Sequence, residues 1–91
     1  MSTGYENHLL SVFLHSEREG VQFYRSLPIH KQASMILTLP PHFQQLLLHK
    51  LKNDELVEIL HYLDSDDATD VLQHINRYRR KKIIHALRSN I

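Results

Sequence analysis

The stretch HYLDSDDATDVLQHI, residues 61 to 75, sets Asp64, Asp66, Asp67 and Asp70 within seven positions. Carboxylates at that density are oxygen donors suited to a hard cation such as Mg2+ or Ca2+. With Asp54, Glu55 and Glu58 they make seven acids against one base, Lys52, between residues 51 and 70. The stretch lacks the central Gly and terminal Glu of an EF-hand loop. Mg2+ keeps several of its waters and accepts one or two protein carboxylates. A weak cation site shared with a partner is therefore expected on this patch, with Asp54, Glu55 and Glu58 toward the partner. Helix capping competes for the same residues. Asp64 or Ser65 can be an N-cap, and Asp66 and Asp67 then lie in a first turn, where carboxylates favour the helix dipole. Asn53, Asp54 and Glu55 fit the same role one step earlier. Asp70 escapes it. It lies three and four residues after Asp67 and Asp66, so all three share a face and repel. At about 6 Å and an effective dielectric near ~20, that is about 3 kcal/mol per pair, and less in full solvent.

Five bases follow in six positions: Arg77, Arg79, Arg80, Lys81 and Lys82. They open a helix, where the dipole disfavours cations. The run reads first as a solvated face, and in function as facing the acids of the preceding helix or an acidic partner, with Arg79 and Arg80 partner-facing. On that reading, changing Arg79, Arg80 and Lys81 to Gln leaves the fold intact. A small nucleic-acid binder is the less favoured alternative, because Tyr78 is the sole interleaved aromatic and the net charge is only +1. Neither nucleic acid nor direct membrane insertion is expected. Of the eight histidines, His49, His61 and His85 share one repeat position beside the apolar stripe, and no HxxxH or HExxH pair occurs. They read as surface residues. Neither a glycine-rich phosphate loop nor a G-x-S-x-G elbow is present, and an enzyme is not expected.

The elements that carry these residues follow from a repeat. In blocks of twelve ending at residue 27, 39, 51, 63, 75 and 87, the last position reads Leu, Leu, Leu, Leu, Ile, Leu. Positions eight and nine are apolar in every block, from Phe23-Tyr24 to Ile83-Ile84. Position five is weaker: Leu56 and Ala68 fit, while Gln32, Gln44 and Arg80 do not. Positions five, eight, nine and twelve form one stripe of an amphipathic helix. Each block opens on breakers or caps, such as Pro28, Pro40-Pro41 and Asp64, so each is a short helix and a tight turn. The fold class is all-α: a right-handed superhelix, or solenoid, of about seven short antiparallel helices in one domain over 1–91. Residues 1–15 are expected as a capping helix and 16–88 as the repeats. Ser16 to Glu19 form a capping-box pattern that opens the second helix.

Bulk composition agrees. Hydrophobic residues are 42% and charged residues 23% of the 91-residue chain, as in a folded domain. The absence of cysteine removes disulfides and thiolate chemistry. No apolar run approaches the ~18 residues of a membrane span, and MSTGYENHLL lacks the pattern of a signal peptide.

Over about residues 23 to 87 the chain resembles the cytoplasmic N-terminal domain of MgtE magnesium transporters. LTLPPHFQQLLLHKL is similar to that family's LPP helix starts, and ILHYLDSDDATDVLQHI to its LDPDDAADLL turn and helix. The resemblance implies a regulatory superhelix joined to paired CBS domains and a transmembrane pore in a homodimeric transporter. It implies Mg2+ held between acidic faces of the N and CBS domains, shutting the pore when intracellular Mg2+ is high. Asp66, Asp67 and Asp70 match the motif, with Asp64 as cap. The implied location is the cytoplasmic face of the membrane. The chain would then be a fragment or a truncated homologue. A free-standing helical interaction module, akin to the flagellar motor switch scaffold, is the alternative.

Overall fold

The computed structural model describes residues 4–89, and the outermost ends of the expected domain lie outside these. Seven helices account for it: α1 (Gly4–His15), α2 (Glu17–Ser26), α3 (Ile29–Thr38), α4 (Pro41–Lys50), α5 (Asn53–His61), α6 (Ser65–Gln73) and α7 (Arg77–Ser89). No strand occurs among the described residues. From α2 onward the helices begin at residues 17, 29, 41, 53, 65 and 77, twelve apart each time. The expected all-α helical repeat is therefore the observed fold. Helices two apart in sequence stack, α3 on α5 and α5 on α7, while α1 lies on α2.

The stripe is the core. Of its eighteen positions thirteen are buried and five, Phe23, Leu63, Leu72, Ile84 and Leu87, are half-buried. None is exposed, so the period of twelve records burial. Ile36, Leu47, Leu51, Leu56, Ile59 and Ile83 are among the most deeply buried. Each such side chain contributes about 1.5–3 kcal/mol relative to exposure.

The turns after α2 come in two kinds. Leu27 and Leu39 stand before prolines, which force extended backbone on the preceding residue. They adopt φ −74°, ψ 151° and φ −65°, ψ 146°. Pro28 and Pro40 then occupy the N-cap, and Pro41 the first helical position, where the missing N–H costs nothing. Leu51 takes the same extended backbone, φ −72° and ψ 144°, before Lys52 and without a proline, whereas α5 and α6 tighten at their ends. Tyr62 and Leu63 donate to the carbonyls of Ile59 and Leu60 at 3.0 and 3.1 Å, and His74 and Ile75 repeat the pattern. Every turn is made without a residue at positive φ among those described.

Position five, the weak column of the repeat, has a structural role that differs by block. At Gly20 a Cβ would come within 2.3 Å of the Phe13 ring, so only glycine lets α1 lie this close on α2. Phe13 continues onto Phe43, ring centres 5.5 Å apart. Gln32 donates its amide to the Leu27 and Arg25 carbonyls at 2.9 and 3.3 Å. Gln44 donates to the Ile36 carbonyl at 2.7 Å. These carbonyls end the preceding helices and have no partner within them. The buried Tyr24 hydroxyl donates to the Gln32 carbonyl at 2.6 Å. Burial, then the nearby Glu55 charge, hold the phenol neutral well above its usual range.

Candidate functional site

The acidic site is built at the start of α6. Asp64 is the N-cap, and its side chain accepts from the Asp67 N–H at 3.0 Å. Ser65 is the first helical residue, and its carbonyl accepts from the Thr69 hydroxyl at 2.8 Å. Asp66 and Asp70 are exposed and Asp67 is half-buried. Loss of solvation, then the charges of Asp64, Asp70 and Asp66, push the Asp67 carboxyl above its usual range. The cluster is thus repulsive as built, and a cation would relieve it.

Asp67 and Asp70 line a surface hollow of about 300 Å³ with Gln44 and His74. Asp66 lies outside that lining, one turn before Asp70 on the same helix. Among the described residues no three His, Asp or Glu side chains are placed to hold one ion together. The donor set is carboxylate and amide oxygen, the chemistry that Mg2+ takes, in numbers that leave most of its shell to water or to a second surface. Glu58 lines a smaller hollow of about 160 Å³ with Glu55, Ile29 and Gln32. Asp54 is exposed, and its Oδ1 accepts from the Glu55 N–H at 2.9 Å. All eight histidines are exposed.

Two expected partner-facing residues are engaged within the chain itself. Glu55 accepts from the Lys52 N–H at 2.8 Å, closing the cap of α5. It also accepts a two-pronged contact from Arg25 of α2, Nε at 2.8 Å and Nη2 at 3.0 Å. The same Arg25 Nη2 donates to the Lys50 carbonyl at 3.3 Å. Arg79 closes the turn from the other side. Its Nε donates to Asn53 Oδ1 and its Nη1 to the Leu48 carbonyl, both at 2.6 Å, and its Nη2 donates to the Leu51 carbonyl. A guanidinium is planar with five donors, so it can cap several carbonyls at once. The end of α4 also carries the negative pole of that helix. Arg79 is therefore a structural cation, and the expectation that Arg79, Arg80 and Lys81 can together become Gln without cost is corrected. The anomaly of cations at a helix start was the available signal: this one serves another helix's end. Arg80 is half-buried.

The expected facing of the basic run onto the α6 acids is also corrected. No ion pair joins them among the described residues. α7 stacks on α5 and sends Arg79 to the α4–α5 turn, away from the α6 acids.

The Arg25–Glu55 pair gives a pH prediction. The hydrogen bond from Arg25, then those made through Lys52 and the Arg25 charge, hold the Glu55 carboxyl below its usual range. Its stabilisation is present above the unfolded pKa of 4.5 and is lost as pH falls through the lower folded value. Arg25 is 37% exposed, so solvent limits the pair to about 1 kcal/mol or less. Urea unfolding should show Glu55→Gln less stable than the parent at neutral pH, and the two curves converging below about pH 4. Parallel curves throughout would reject the pair as the source.

Helices of 9 to 13 residues that start every twelve residues from α2 onward make up the described fold. A family model described as the MgtE intracellular N domain matches residues 8–90. The chain belongs to that family. No curated protein and no solved structure matches it. An MgtE N domain is a regulatory part of a magnesium transporter, and the family is not one of enzymes. No helix among the described residues is long and apolar enough to cross a membrane.

Proposed function

We propose that this chain is the Mg2+-responsive regulatory domain of a magnesium transporter, on the cytoplasmic face of the membrane. Its acidic ridge docks on acidic CBS domains of the same full-length, homodimeric chain, and the docked arrangement shuts the pore. The observation that carries the reading is the α6 ridge, where the exposed Asp66 and Asp70 flank the half-buried Asp67 and make no ion pair with α7 among the described residues. Asp67 and Asp70, beside Gln44, would hold the ion, and the exposed Asp54 and Glu58 of α5 add acids for the partner. Bound there, Mg2+ supplies the positive charge that lets two carboxylate surfaces approach. Without it the carboxylates repel and the docked state opens. Few carboxylates and a hydrated ion make a weak isolated site, while a second acidic face in cis raises the effective concentration.

The test uses Asp70→Asn, since Asp70 is the acid that no cap requires. The isolated chain should bind Mg2+ in the millimolar range or weaker, as loose carboxylate sites do. Its melting should be unchanged or slightly improved by Asp70→Asn, because a like charge is removed beside Asp67. In the full-length transporter, Mg2+ should protect against proteolysis, and Asp70→Asn should weaken that protection. Equal protection with and without the carboxylate would reduce the ridge to a helix cap.

A further inference from the structure

Residues 71–91 hold six bases and no acid, and the proposed docking through acids leaves them unused. On α7, Arg77, Tyr78, Lys81, Lys82, His85 and Arg88 are all exposed. At about 100° per residue they fall within an arc of about 140°. Buried Ile83 and Arg79, bonded to the α4–α5 turn, lie on the opposite side of the helix. The outer face of α7 is therefore a single-sign stripe with four permanent cations, not neutralised by the α6 acids.

We infer that the outer face of α7 lies against an anionic phospholipid surface. Four fixed cations on one face of a straight helix match a plane of phosphates, and each gains about fivefold in partitioning near an anionic leaflet. Tyr78 is 73% exposed at the helix start, and its apolar ring with a polar hydroxyl suits the headgroup boundary. The Lys82 ammonium lies 4.7 Å from the Tyr78 ring centre. Tyr78 is the only Phe, Tyr or Trp of α7 and Lys82 covers one of its faces, which leaves little platform for stacked single-stranded bases, while duplex binding is an outcome of the test below. The inference rests on the proposed function only for the tether. A domain joined to a transporter is held close to the bilayer, where even a weak patch is used.

The experiment is co-sedimentation of this chain with vesicles at low salt and without Mg2+. One set is phosphatidylcholine alone and the other carries about a third phosphatidylglycerol, a composition with a strong negative surface potential. The expected result is binding to the anionic vesicles only, lost near 1 M salt, where the screening length is about 3 Å. Arg77→Gln, Lys81→Gln and Lys82→Gln combined should lower partitioning about a hundredfold, with the helical circular dichroism retained. Equal binding to neutral vesicles, no loss in the variant, or retention on duplex RNA without vesicle binding would each overturn the inference. Because Mg2+ and the acidic ridge play no part in this assay, its failure leaves the proposed Mg2+ docking standing, and the reverse also holds.

Discussion

Arg79→Ala should lower the unfolding free energy by about 2–4 kcal/mol, although Arg79 reads in sequence as a partner-facing base. Its guanidinium donates to Asn53 and to the carbonyls of Leu48 and Leu51, all at the α4–α5 turn. Hydrogen bonds from a charged donor are worth about 1.5–3 kcal/mol, and carbonyls left without a partner add a desolvation penalty. For a chain of this size the loss corresponds to a drop in melting temperature of about 10–25 °C. Arg79→Lys should recover only part of it, since one ammonium cannot reproduce the planar fork. Arg80→Ala, one residue on, serves as the control and should fall within about 1 kcal/mol of the parent. Thermal melts of the three variants decide the matter: equal effects at both positions would mean that Arg79 is surface charge after all.

Leu60→Ala should destabilise by about 2–5 kcal/mol, through lost transfer free energy and the cavity left behind. Leu60 is 3% exposed in α5, the helix stacked between α3 and α7, so neighbours on both sides limit collapse into the space. Leu72 occupies the same repeat position one block later but is only half-buried. Leu72→Ala should cost about half as much, since transfer free energy follows the area removed from water. Denaturant unfolding of the two variants tests the gradient along the solenoid. Identical losses would mean that the stripe is not graded, and a fall below about 1 kcal/mol at Leu60 would remove it from the core.

These two variants mark where sequence and structure part. Leu60 was legible. A period of twelve in apolar residues can arise only if the same side of each short helix is buried, and the chain's prolines and caps leave no other place for the breaks. Asp64 as cap and Ser16 opening α2 were legible for the same reason, because a cap acts on amides two or three residues away. Local physics fixed those assignments, and the helix starts at residues 17 to 77 follow them without exception. The density of acids on α6 was equally readable, and so was their mutual repulsion.

Long-range polar contacts were not. Gln32 and Gln44 looked like faults in the stripe, yet each satisfies the carbonyl end of the preceding helix. Glu55 looked free to meet a partner, yet it joins Arg25 across thirty residues. Arg79 reaches back thirty-one residues to the Leu48 carbonyl. Hydrogen bonding leaves no periodic trace, since a Gln or Arg at a stripe edge has the same spelling whether it meets water or a helix end. Only stacking decides which carbonyls lack partners and which side chains stand above them. The division is therefore physical: burial repeats with the helix and is written along the chain, while the pairing of polar groups depends on which helices become neighbours.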